Sequence, residues 1–328
     1  MGETSQTVAA ASRGVFRRHV QWQSRSAHVA MQKAIWLEAF PAIDSSPMVP
    51  RHEAGNGMTE AALTSTSLAS SPAVDRDSRP NWLQDCRVSV VVPALNEADN
   101  LEHVLPRMPP WVHEVILVDD HCTDDTVAVA RQLMPSIRVV ANHRPGGKGN
   151  ALRTGFEAAT GDVIVQIDAD GSEAPEEIPA FVGAIMAGAD YAKGTRFVPG
   201  GGTSDMTLLR RWGNKVFVLL VRLLFGARFT DLCYGYNAFR ADAIRRLDLD
   251  ADGFEIEAML NVRAHRAQLR IREVPSFETE RVCGVGRLVT FPDGWRVLKT
   301  ILTEKWPRLL RVRGLARRGG SSSDEAGQ

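Results

Sequence analysis

Cysteine is scarce in this 328-residue chain, and what there is lies scattered. Cys86, Cys122, Cys233 and Cys283 form no C-x-x-C pair. That excludes the clustered thiolates of a zinc site and the dense disulfides of a small secreted domain; reduced thiols in a cytoplasmic protein are expected. Long apolar runs are missing too. The longest, Val216 to Val221, stops at Arg222, far short of the ~18–20 residues that a spanning helix needs. Neither charge sign dominates, with 39 Lys and Arg against 39 Asp and Glu. No global field therefore recommends nucleic acid or an acidic polymer as partner. The amino terminus shows no apolar h-region, so no secretory signal is expected.

The rest of the composition, 44% hydrophobic and 24% charged, is that of an ordinary globular protein. Its organisation changes along the chain. From Thr59 to Ser78 Ala, Ser and Thr dominate without an apolar period, and residues 1–84 read as a disordered amino-terminal extension. After Arg87 short β-branched runs alternate with helical spacing. Strands are expected at 88–93, 114–118, 137–140, 162–167, 190–193 and 269–274. Helices are expected at 96–108, 123–134, 150–159, 175–187, 205–225, 242–247, 254–267 and 295–310. Short connections between alternating elements predict an α/β fold, a doubly wound and mostly parallel sheet flanked by helices, over residues 85–300. Residues 301–328 read as the end of a basic amphipathic helix followed by a disordered tail carrying Arg311, Arg313, Arg317 and Arg318.

In such sheets ligands bind beyond the carboxyl ends of the strands. Three predicted strands end in polar groups: Asn96-Glu97, Asp119-Asp120, and Asp168-Ala169-Asp170. Two carboxylates one residue apart can both reach Mg²⁺ or Mn²⁺, with substrate phosphates completing the shell. Asp119 and Asp120 are expected to contact a nucleotide donor, and Asp124 and Asp125 to enrich the first turn of the next helix. Gly146-Gly147-Lys148-Gly149 is placed to offer backbone N–H groups to phosphate at a helix start. It is no P-loop, since Gly149 stands where Ser or Thr belongs, and no G-x-G-x-x-G follows the first strand.

The run Val91-Val92-Pro93-Ala94-Leu95-Asn96-Glu97, then Val118-Asp119-Asp120, Gly147-Lys148-Gly149-Asn150-Ala151 and Asp168-Ala169-Asp170, resembles family 2 glycosyltransferases of the GT-A fold. Gly194-Thr195-Arg196-Phe197, Asp231 through Arg240, and Arg281-x-x-Gly284-x-Gly286-Arg287 resemble the polyprenyl-phosphate mannose or glucose synthase branch. The resemblance covers about residues 86 to 300. It implies that Pro93, Asn96, Glu97, Asp119, Asp120 and Lys148 line a GDP- or UDP-sugar pocket and that Asp168 and Asp170 hold the metal. Arg196, Arg211 and Arg287 would face phosphate oxygens. Two departures stand out: Gly171-Ser172 where relatives carry Leu-Gln, and Gly286-Arg287 where they carry Ser-Lys.

The implied reaction is a single inverting displacement that moves a hexose onto a polyprenyl phosphate. The protein would then be cytoplasmic, peripheral at the inner face of a membrane, with 216–225 and 295–310 as candidate surface helices. Two other readings stay open. A soluble hydroxyl acceptor would need a general base, for which Asp231, Glu255 and Glu257 are candidates. A non-catalytic nucleotide-sugar-binding protein would keep the pocket without turnover.

Overall fold

Residues 86–306 are described in a computed structural model of the chain, and all lie within the unit Arg79–Gln328. The expected extension over 1–84 and the arginines past 306 fall outside the described residues. Strand β1 (Val88–Ala94) is buried almost throughout and pairs in parallel with both β2 (Glu114–Asp119) and β4 (Val163–Gln166). Strand β3 (Arg138–Ala141) adds to β2 at the edge. On the other side come β5 (Tyr191–Thr195), β7 (Asn237–Arg240) and β8 (Ile271–Pro275). The seven-stranded order is β3-β2-β1-β4-β7-β5-β8. Only β7 runs antiparallel to its neighbours, so the sheet is mostly parallel, as expected. A two-strand ribbon, β6 (Gly202–Thr203) with β9 (Phe277–Glu278), lies beside it in the topology.

Helices α1 (Ala98–Leu101), α2 (Thr126–Leu133), α3 (Lys148–Ala158) and α4 (Ile178–Met186) connect the first five strands. Alternation along β1 sets the layers. Val88, Val90 and Val92 belong to one core with Leu101, Phe181 and Ile185. Val91 points into a second, with Leu152, Phe156, Ile256 and Leu260. A third core joins α5 (Leu208–Phe225), α7 (Ile256–Arg266) and α8 (Thr290–Lys305) through Val221, Val262, Val297 and Ile301. Helix α8 crosses the boundary expected at residue 300.

Three expectations need correction. The helix expected over 96–108 is only one turn of α1 followed by a 3₁₀ turn, Leu105–Arg107; Pro106 has no N–H to continue an α-helix. The helix expected from Pro175 begins as a 3₁₀ turn, Pro175–Glu177, before α4. Strand β7 was not foreseen, because Tyr234-Gly235-Tyr236-Asn237 reads as a turn before the short α6 (Ala241–Ile244).

Candidate active site

The parallel strands deliver their polar ends to one rim, where a cavity of about 960 Å³ opens. Its lining includes Pro93, Glu97, Asp120, Lys148, Asp168 and Asp170. Asp120 follows β2 and is buried; its oxygens accept from Asn142 Nδ2 at 2.7 Å and from the Gly147 N–H at 2.9 Å. The glycine loop thus spends donors expected for phosphate on its own chain: the Gly147 N–H goes to Asp120 and the Asn150 N–H to the Asp252 carbonyl at 3.2 Å. A Cβ on Gly147 would come within 2.4 Å of the Asp252 carbonyl oxygen, and one on Gly149 within 2.3 Å of that of Ala251. Close backbone packing accounts for both glycines.

Lys148 opens α3 and reaches the carboxylates past β4. Its Nζ donates to Asp168 Oδ2 at 2.7 Å and lies 3.6 Å from Glu257 Oε1. Burial opposes the ammonium charge, but Asp168, Glu257 and Glu173 outweigh it and hold Lys148 above the ordinary lysine range. Glu173 is itself buried and accepts the Asp168 N–H at 2.9 Å. Burial, reinforced by the Asp168 charge, pushes its carboxyl well above the usual range. Burial also raises Glu257, against the pull of Lys148, while Gln166 and Asn237 donate to its oxygens at 2.8 and 3.1 Å. Gly235 leaves this cluster its room: a Cβ there would stand 2.7 Å from Lys148 Nζ and 3.1 Å from Asp168 Oδ2.

Asp170 accepts from the Ser172 N–H at 3.0 Å and from Arg281 Nη1 at 3.4 Å. Arg281 also donates to Glu97, and Arg287 Nη1 reaches the other Glu97 oxygen at 3.3 Å. Among the described residues no three His, Cys, Asp or Glu side chains converge on a preformed metal cage. Two hard carboxylates sharing a cavity suit Mg²⁺ or Mn²⁺ that arrives with a diphosphate.

The expected site residues divide in two. Pro93, Glu97, Asp120, Lys148, Asp168, Asp170, Arg196, Arg287 and Glu257 line the cavity; Asn96, Asp119, Arg211, Asp231 and Glu255 do not. Asn96, at φ +50°, ties to Thr123, its Oδ1 accepting the Thr123 N–H at 2.7 Å. Asp119 accepts the Cys122 N–H at 2.8 Å. Arg211 is exposed, its guanidinium 5.7 Å from the Phe197 ring, whereas its neighbour Arg210 faces the cavity. Glu255 Oε1 accepts the Gly253 N–H at 3.2 Å. Arg196 is held by Asp231 and Glu278 rather than being free for phosphate. Glu173, Arg281 and Gly235 were given no site role from sequence. Glu173 had a signal in the acidic density after β4, and Arg281 in its glycine motif.

At its other end the cavity is walled by Leu209, Trp212 and Phe217 of α5 and by Phe291, Trp295 and Leu298 of α8. The outer face of α5 continues this apolar character. Leu208, Trp212, Val216, Leu219 and Leu223, spaced four, four, three and four apart, are all exposed, with Trp212 at 67%. Phe291 and Trp295 are exposed as well. No helix among the described residues is long and apolar enough to cross a membrane.

Known proteins give this rim a context. The profile of Glycosyl transferase family 2 matches residues 89–248. The chain is 34% identical to polyprenol monophosphomannose synthase from Mycolicibacterium smegmatis, over 70% of this chain and 92% of that one. It is 33% identical to undecaprenyl-phosphate mannosyltransferase from Micrococcus luteus, over 71% and 99%. The fold is similar to that of glucosyl-3-phosphoglycerate synthase from Mycobacterium tuberculosis, solved with Mn²⁺, UDP and glucosyl-3-phosphoglycerate. That match has a TM-score of 0.54 at 25% identity and covers 70% of this chain and 86% of that one.

Proposed function

The chain belongs to glycosyltransferase family 2, and from that premise we propose that it moves a hexose from a GDP- or UDP-sugar to a polyprenyl phosphate. The observation that carries the reading is the shape of one cavity. It joins a carboxylate-lined end at Asp120, Asp168 and Asp170 to an apolar end at Trp212, Phe291 and Trp295. A nucleoside diphosphate with its metal suits the first end, and a lipid-borne phosphate suits the second. The polyprenyl and undecaprenyl substrates in the names of the two mannosyltransferases are consistent with that division.

In this reading Asp168 and Asp170 hold Mg²⁺ or Mn²⁺, which when bound stabilises charge on the leaving diphosphate. Asp120 and Glu97 frame the nucleotide end, and Lys148 supports the metal carboxylates. Arg287, beside Glu97, and Arg210, whose Nη2 donates to the Leu288 carbonyl at 3.1 Å, both line the cavity and are the guanidinium groups for the acceptor phosphate. A phosphate acceptor is already anionic near neutral pH and needs no general base. That fits the burial of Asp231 against Arg196 and the absence of Glu255 from the lining. The exposed stripe of α5, flanked by Arg211, Lys215 and Arg222, suits a membrane surface where such an acceptor resides.

Incubation with labelled GDP-mannose, UDP-glucose and related donors, undecaprenyl phosphate and Mn²⁺ should transfer label to the organic phase. Label that stays aqueous with every donor would reject the lipid acceptor. Glu257, the one candidate base on the cavity wall, keeps the hydroxyl-acceptor reading alive; sugar transfer to a soluble alcohol that E257Q abolishes would favour it.

A further inference from the structure

Each carboxylate of the pair past β4 holds a cation supplied by the chain itself. Lys148 Nζ meets Asp168 at 2.7 Å, and Arg281 Nη1 meets Asp170 at 3.4 Å. The two cations are held differently. Lys148 stands on the first turn of α3 and has a second carboxylate, Glu257, at 3.6 Å. Arg281 comes from an irregular strap between β9 and α8, and it shares its guanidinium between Asp170 and Glu97. The strap's backbone is pinned along the rim. Thr279 N–H donates to Ser172 O at 2.8 Å, Val282 N–H to Asp170 O at 3.2 Å, and Cys283 N–H to Asn100 Oδ1 at 2.8 Å. The Arg281 side chain is thus aimed at the rim by a fixed backbone, while its bond to Asp170 is long for a charge-assisted one.

We infer that Arg281 is the resident counter-ion of Asp170, displaced when a divalent cation binds together with a diphosphate. This rests on the reading of Asp168 and Asp170 as metal ligands. A carboxylate oxygen engaged by a guanidinium is a poor metal ligand, because its lone pair is used and a positive charge sits beside the incoming ion. Metal arriving alone must push Arg281 off Asp170 and then face it. Metal arriving with a nucleoside diphosphate brings the anion that the guanidinium takes in exchange, a geometry its fork suits. Metal and nucleotide therefore bind as a pair, with Arg281 as the positioning residue that couples them.

The test titrates Mn²⁺ into the full chain and follows free Mn²⁺ by electron paramagnetic resonance, with and without GDP or UDP, after subtracting the protein-free nucleotide complex. R281Q should bind Mn²⁺ alone at least tenfold more tightly than the unaltered chain. Its Mn²⁺ affinity with nucleotide bound should match that of the unaltered chain, so the tightening that nucleotide brings shrinks by the same factor, as does, by reciprocity, the tightening of nucleotide by Mn²⁺. R281K, which keeps the charge, should stay within threefold of the unaltered chain. Unchanged or weaker Mn²⁺ binding by R281Q, with binding lost in D170N, overturns the inference and leaves the metal reading standing. Mn²⁺ binding by D170N equal to that of the unaltered chain overturns the metal reading itself.

Discussion

Arg196 meets Asp231 through two parallel hydrogen bonds, Nε to Oδ2 at 2.7 Å and Nη2 to Oδ1 at 2.9 Å, with both residues buried. The remaining Nη1 reaches both oxygens of Glu278 at 3.0 and 3.1 Å. Burial disfavours the Asp231 charge, yet the guanidinium outweighs it and keeps the carboxyl below its usual range. Burial likewise opposes the Arg196 charge, and the two carboxylates hold the guanidinium in its charged form. The pair ties the end of β5 to the loop after α5 and to β9, and so fixes the back wall of the cavity.

Breaking that pair leaves the buried Arg196 with Glu278 as its one carboxylate partner and strands its Nε and Nη2 donors, which costs up to about 3–5 kcal/mol. D231N should therefore unfold at markedly lower denaturant, with the slope of its transition unchanged. If D231N kept full stability while losing all turnover, Asp231 would be acting as a base after all.

The metal reading makes its own demand. Chelation by EDTA should abolish turnover, and Mn²⁺ or Mg²⁺ should restore it. D168N and D170N should each lower kcat/KM by about a hundredfold or more, because the charge on the leaving group loses several kcal/mol of stabilisation. Full turnover in EDTA would remove the metal from the reaction.

Gly235 is where the fold makes room for the site. In G235A the new methyl would press on Lys148 Nζ and Asp168 Oδ2. Lysine can yield at its tip, so the fold should survive with its melting temperature little changed. The Asp168 carboxylate would shift, however, and the KM for donor should rise about tenfold, in line with the steep dependence of rate on placement. Unaltered donor kinetics in G235A would show that the cluster is more tolerant than its spacing implies.

Acid stability should be traceable to Asp190. The Arg270 hydrogen bonds and charge, with Arg240 behind them, hold its carboxyl down at about 2. Its ordinary unfolded value is about 4. A depressed carboxylate contributes stability above the unfolded value and loses it as pH falls through the folded one. D190N should thus be less stable at pH 7 by on the order of 1 kcal/mol after solvent screening. The gap should close between about pH 4 and about pH 2. A gap that persists undiminished at pH 2 would point to lost packing instead.

Much of this rim was legible in sequence because each part of it is local. The β-branched runs of β1, β2 and β4 announce buried parallel strands, and the residues that follow a parallel strand all face one edge. Hence Asp120, Asp168 and Asp170 line one cavity. What stayed hidden is the pairing between distant segments. Arg281 reaches Glu97 across 184 positions, and Arg196 reaches Asp231 across 35; no local pattern records either. Arg210 and Arg211 show the same limit on a finer scale. They are adjacent in sequence, but the turn of α5 sends one into the cavity and the other outside it.

The face of α5 yields the last expectation. Leu208, Trp212, Val216, Leu219 and Leu223 form one exposed stripe, and Phe291 and Trp295 of α8 add aromatic surface. Their burial in a bilayer interface would stabilise by about 1.5–3 kcal/mol for each large side chain fully withdrawn from water. Neighbouring basic residues add about 1 kcal/mol each near anionic lipid. The full chain should co-sediment with vesicles containing phosphatidylglycerol, and less so at high salt. W212A with L208A should weaken that binding at least tenfold while leaving stability intact, because neither side chain packs in the core. Equal binding by the double variant would mean that some other surface meets the lipid.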